Sequence, residues 1–124
     1  MRAVAGLSIM TVVMLTLGSG AQGGSSVTTT ANIAPGQTQV YTITCTNSSN
    51  NLGVYVQWGR FDLKKDLALR VTDPNGVQSL VDNDPNSGEA FFAYAPVATG
   101  TWMIEVINQG SARVKYDLTA GFGN

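Results

Sequence analysis

The chain contains no histidine and one cysteine. Without histidine there is no Ser-His-Asp arrangement and no base beside a nucleophilic thiol. With a single cysteine as well, zinc-finger spacing and an intrachain disulfide are both excluded. Charge is scarce, at 12% of residues with a net value of −1, so the sequence shows no basic surface to grip nucleic acid. Apolar residues make up 44% of the chain, enough for a core, which argues against a disordered tail. Its length fits one domain.

One long apolar run is present, at the start. In "MRAVAGLSIMTVVMLTLGSGAQGG", Arg2 supplies a positive end and Ala3 to Leu17 supplies a mostly apolar stretch. Small residues follow, and Ser19-Gly20-Ala21 fits a small-x-small cleavage site. Residues 1–21 are therefore expected to be an export signal, with a retained hydrophobic arm as the alternative. The run is too short for a spanning helix, which needs about 20 apolar residues, so no stable membrane span is expected after processing. Residues 22–32 read as a polar linker or an opening strand.

From residue 33 to 124 the pattern has period two, with turn residues between the runs. Tyr41, Ile43 and Cys45 share one face; so do Leu52, Val54, Val56 and Trp58, with Tyr55 and Gln57 opposite. Leu67, Leu69 and Val71 point inward while Ala68, Arg70 and Thr72 point out, and Asp73-Pro74-Asn75-Gly76 turns the chain into the returning strand "VQSLV". "AFFAYAP" is an aromatic strand. Trp102, Ile104 and Val106, then Val114, Tyr116 and Leu118, complete the alternation. About seven or eight short strands with no helix predict an all-β fold, a small antiparallel β-sandwich of jelly-roll type preceded by the hydrophobic signal or arm. Cys45, on an inward position, is expected to be an inert core residue.

Three segments in order, "IAPGQTQVYTITCT", "DLALRVTDPNG" and "ATGTWMIEVINQGSARVKYDLTA", resemble the bacterial pre-peptidase C-terminal domain. The family carries an Asp-Leu-x-Leu strand ending in Asp-Pro-Asn-Gly, and later an Ala-Thr-Gly-Thr-aromatic strand. The likeness runs from Ile33 to Leu118. The P domain of proprotein convertases, a related jelly roll, is similar in the last two segments. The resemblance implies a non-catalytic sandwich that accompanies secreted hydrolases, binds substrate, matrix or cell surface, or assists secretion and maturation. No peptidase is attached, so the domain is expected to stand alone or act in trans. Some relatives bind calcium near their first strands, but no acidic residue precedes Tyr41.

Candidate sites follow from side-chain chemistry. Asp82, Asp84, Asn86 and Glu89 bring hard oxygen ligands into one loop, as calcium requires, although Pro85 and Gly88 break the EF-hand spacing and a solvated turn is the plainer reading. Tyr55, Phe91, Phe92, Tyr94 and Trp102 are the aromatics from which an exposed platform could be drawn, although most aromatics of a small sandwich fill its core; Phe91, Phe92 and Tyr94 are the candidates for contact with a protein or glycan, and alternation puts Phe91 and Phe92 on opposite faces. Asn47-Ser48-Ser49 is a glycosylation sequon. In "GRFDLKKD", Arg60, Lys64 and Lys65 offset Asp62 and Asp66, the pattern of a solvated loop. No residue is assigned to catalysis and no cofactor beyond calcium is expected. The functional expectation is a secreted, extracellular or cell-surface module that binds a protein or glycan surface or assists a secreted hydrolase. The alternative is a structural subunit of an extracellular filament, pilus or surface layer, assembled through the N-terminal segment.

Overall fold

Alternating side chains need two facing layers, one to each side of a shared core, and the fold supplies them. The computed structural model describes residues 10–14, 25–45, 51–59, 64–81, 88–94 and 99–123. Its strands are β1 (Met10–Met14), β2 (Ser25–Ile33), β3 (Thr38–Cys45), β4 (Asn51–Gln57), β5 (Leu67–Thr72), β6 (Gln78–Val81), β7 (Glu89–Tyr94), β8 (Gly100–Asn108) and β9 (Val114–Gly123). One sheet has the order β2-β9-β4-β7, the other β1-β3-β8-β5-β6. From β2 onward the chain changes sheet at every connection but the β5–β6 hairpin, which is the jelly-roll path. Neighbours are antiparallel except β1, which runs parallel to β3 with Met10 opposite Thr38 and Met14 opposite Thr42. The proposed cleavage site at residues 19–21 lies outside the described residues. No helix among the described residues is long and apolar enough to cross a membrane.

The inward faces meet as the alternation requires. Val114, Tyr116, Leu118, Ala120 and Phe122 of β9 and Leu52, Val54 and Val56 of β4 face Tyr41, Ile43, Leu69, Val71, Trp102, Ile104 and Val106 of the other sheet in one buried cluster. Burying each large apolar side chain contributes about 1.5–3 kcal/mol. Cys45 belongs to this cluster as a buried free thiol. On β5 the outward positions depart from simple alternation, because Ala68 and Thr72 are buried along with Leu67, Leu69 and Val71. Both are short side chains set beside the longer Ile107 and Met103 of β8, while between them Arg70 reaches Glu105 at 3.6 Å.

Two features fix the ends of the strands. At the corner after β5, the Asp73 carboxylate accepts the backbone N–H groups of Asn75 and Val77 at 2.8 and 2.9 Å. Gly76 closes that turn at φ +90°, a conformation that glycine adopts without steric cost. At the end of β8, the buried Asn108 donates to the carbonyls of Ile33 and Ala112, and its own carbonyl accepts the Gly110 N–H. One amide thus ties three backbone groups of the β8–β9 turn and β2. Beneath them runs a buried polar relay: Tyr41 donates to Tyr116, Tyr116 to Gln39, and Gln39 to the Asn32 carbonyl.

Candidate functional site

Cross-strand register builds the outer face of the β2-β9-β4-β7 sheet in rows. Tyr55 of β4 stands between Phe91 of β7 and Thr119 of β9, and Thr119 stands opposite Thr28 of β2. The next row is Glu89, Gln57, Asp117 and Thr30. On the other side of the aromatic row come Ala93, Gly53 and Gly121, short residues that leave the sheet surface low.

Phe91 is the prominent side chain of this face. It is 57% exposed, an unusual position for a phenylalanine unless it covers something. Its ring leans over Gly53 and stands 6.4 Å from the Tyr55 ring at a tilt of 60°. Tilted aromatic pairs at this spacing are favourable. The Tyr55 hydroxyl donates to the Glu89 carboxylate, which fixes the tyrosine beside Phe91. That hydrogen bond raises the Tyr55 pKa, with smaller contributions in the same direction from burial and from the Glu89 charge. Across β9, Thr30 donates to Asp117 at 2.5 Å, and the Thr28 and Thr119 hydroxyls pair at 3.0 Å. The result is a flat aromatic and glycine shelf, bordered by two carboxylates and a glutamine amide whose positions are set by the sheet. Such a surface offers stacking area and hydrogen-bond acceptors.

The residues singled out from sequence separate here. Phe91 lies on this face, whereas Phe92 is 8% exposed and belongs to the core, so it does not join Phe91 on the surface. Tyr94 ends β7, and Asp82, Asp84, Asn86 and Asn47 lie outside the described residues. Of the four calcium candidates only Glu89 is described, and it is engaged with Tyr55. Among the described residues no group of three or more His, Cys, Asp or Glu side chains gathers as a metal site. Sequence reasoning set Tyr55 and Gln57 outward and counted Tyr55 with Phe91 among the aromatics of one candidate platform, but did not join them to Glu89 and Asp117. Their meeting depends on pairing β4 with β7 and β9, and no local pattern states which strands pair.

No curated protein matches the chain in sequence. In structure it is similar to the pre-peptidase C-terminal domain of a collagenase from Bacillus anthracis, at 17% identity and a TM-score of 0.58, over 92% of this chain and 96% of that one. It is also similar to PliG from Salmonella Typhimurium, a periplasmic inhibitor of g-type lysozyme, at 15% identity and a TM-score of 0.55, over 90% and 97% of the two chains. A third likeness is to the propeptide form of a Bacillus licheniformis lipase, at 13% identity and a TM-score of 0.57, over 80% of this chain and 22% of that one. These likenesses establish the fold. Residues 37–108 match the bacterial pre-peptidase C-terminal domain, more than half of the sequence and inside the span over which its strand and turn motifs carry the resemblance. The chain belongs to that family of non-catalytic β-sandwich domains.

Proposed function

We propose that this chain is a binding module for a protein partner outside the cytoplasm, extracellular or periplasmic, and that it engages the partner through the outer face of the β2-β9-β4-β7 sheet. The observation that carries this reading is Phe91, more than half exposed, and seated over Gly53 beside Tyr55. Aromatic side chains at the centre of a contact, ringed by polar groups, supply most of the energy of protein recognition. Glu89, Gln57 and Asp117 form that polar border. Membership of a family of modules associated with peptidases supports a role beside a secreted enzyme, and PliG, a protein of this fold, is an inhibitor of a lysozyme. The comparisons lend nothing to assembly as a pilus or filament.

The test is capture of secreted proteins by the immobilised full chain, compared with the Phe91→Ala and Tyr55→Ala double variant. Loss of at least tenfold of the captured partner, with an unchanged circular dichroism spectrum, is expected. Equal capture by the folded variant would remove this face from the function.

A further inference from the structure

Phe91 and Glu89 stand two residues apart on β7, so both leave the same face of the sheet, with about 7 Å between their Cα atoms. Tyr55 lies opposite Phe91, and its hydroxyl donates to Oε1 of Glu89. That bond joins two rows of the sheet and holds a carboxylate at the side of the aromatic pair. Phe91 rests over Gly53, and with 57% of the residue exposed the rest of it meets solvent. Asp117 lies across Gln57 from Glu89, two strands away and about 10 Å distant. The exposed Lys115 comes one row farther, two residues before Asp117 on β9 and on the side remote from Phe91. Charge along this face is therefore ordered: rings, then carboxylates, then an ammonium.

This order selects a cation, and a planar one. The face of an aromatic ring attracts positive charge held within about 6 Å of its centre, and Glu89 is near enough to Phe91 for one group to meet both. A lysine ammonium is compact and strongly hydrated, so it makes poor use of a flat ring. A guanidinium is planar and more weakly hydrated, stacks on the ring, and carries its N–H donors in a fixed fork. A carboxylate has about four acceptor positions, so Glu89 takes a guanidinium beside the Tyr55 hydroxyl. On the other side of the rings, Ala93, Gly53 and Gly121 keep the sheet low and let a partner's backbone come close. A sugar ring would use the aromatic face but not the ordered charge beside it.

We propose that the aromatic row is the seat of an arginine of the protein partner, whose guanidinium stacks on the exposed part of Phe91 and donates to the Glu89 carboxylate while Tyr55 holds that carboxylate in place. The proposal rests on the reading of this face as the partner surface and names the side chain that it selects. Lys115 adds to the selection, because it repels a cation placed beyond the carboxylate row and so favours the position over the rings.

The experiment titrates the full chain, carrying ¹³C in its phenylalanine rings, with N-acetyl-Gly-Arg-Gly-amide at constant ionic strength. The same peptide with citrulline or lysine in place of arginine is the comparison. The chain has four phenylalanines, and Phe91→Leu identifies the Phe91 signals. The arginine peptide is expected to shift those signals and to bind about fivefold more tightly than the citrulline peptide and about twofold more tightly than the lysine peptide. Glu89→Gln keeps an acceptor oxygen for Tyr55 but removes the charge. It is expected to weaken binding of the arginine peptide about threefold with an unchanged melting curve. Equal binding of the arginine peptide and either comparison peptide, an unmoved Phe91, or native affinity in Glu89→Gln overturns the proposal. So does cellotetraose that shifts Phe91 as strongly as the arginine peptide, because the shelf would then read sugar rings. Loss of partner capture in the Phe91 and Tyr55 variant beside an inert arginine peptide would sink the arginine seat and keep the broader reading. Binding of the arginine peptide as expected, beside capture that survives in that variant, would keep the seat and sink the broader reading.

Discussion

The hydroxyls of Tyr41 and Tyr116 lie 2.5 Å apart inside the sandwich, one reaching from each sheet. Tyr116 is the pivot, because it accepts from Tyr41 and donates onward to Gln39. Removing its hydroxyl strands two buried partners, whereas removing that of Tyr41 strands one. Tyr116→Phe is therefore expected to cost about 2–4 kcal/mol and Tyr41→Phe about half as much. Urea unfolding of the two variants checks the order, and equal losses would contradict the direction of the relay.

The same pair sets a pH dependence. Burial raises the pKa of both phenols above the ordinary value of 10. The folded chain then keeps protons that the unfolded chain releases. Its contribution to stability is complete below about pH 10 and declines as the pH climbs through the raised folded values. Unfolding midpoints at about pH 8 and about pH 11 should diverge more in the native sequence than in the Tyr41→Phe and Tyr116→Phe double variant. Tyrosinate absorbance should show these two phenols ionising only as the fold is lost.

Adjacent phenylalanines should answer oppositely to truncation. Phe92→Ala opens a hole in the core and is expected to cost about 3–5 kcal/mol. Phe91→Ala removes an exposed ring and is expected to change stability by under about 1 kcal/mol while weakening partner capture. Thermal melts alongside the capture assay separate the two effects.

Asn108 is a single side chain that serves three backbone groups. Asn108→Ala is expected to destabilise the protein by about 3 kcal/mol, by leaving one buried and two part-buried backbone groups without that partner. Gly110→Ala should also be damaging, since its new methyl carbon would lie 2.3 Å from the Lys64 carbonyl oxygen. Chemical denaturation of both variants tests whether this turn is a structural lock.

The corner after β5 predicts a smaller effect. Asp73→Ala removes an acceptor of two backbone N–H groups, and a loss of about 1–2 kcal/mol is expected. Asp73→Asn, which keeps an acceptor oxygen in place, should recover most of it in the same measurement.

Period-two alternation was legible because it is a local property. Leu52, Val54, Val56 and Trp58 declare their face whatever strand lies beside them, and all four are buried. The chemistry that depends on register was not legible. Tyr55 meets Phe91 and Glu89 across 36 and 34 residues respectively, and Tyr41 meets Tyr116 across 75. Nothing near Asn108 in the sequence announces that its amide closes onto Ile33, because that partner lies on another strand. Alternation also failed at Ala68 and Thr72, where side-chain size rather than direction decides what water reaches.

Strand β9, last in the sequence, lies between β2 and β4. Until β9 has been made, one whole layer lacks its middle, and β2 has nothing in that layer to pair with. Such a topology is slow to close because its contacts join distant parts of the chain. The native shape therefore locks only once β9 has joined β2 and β4.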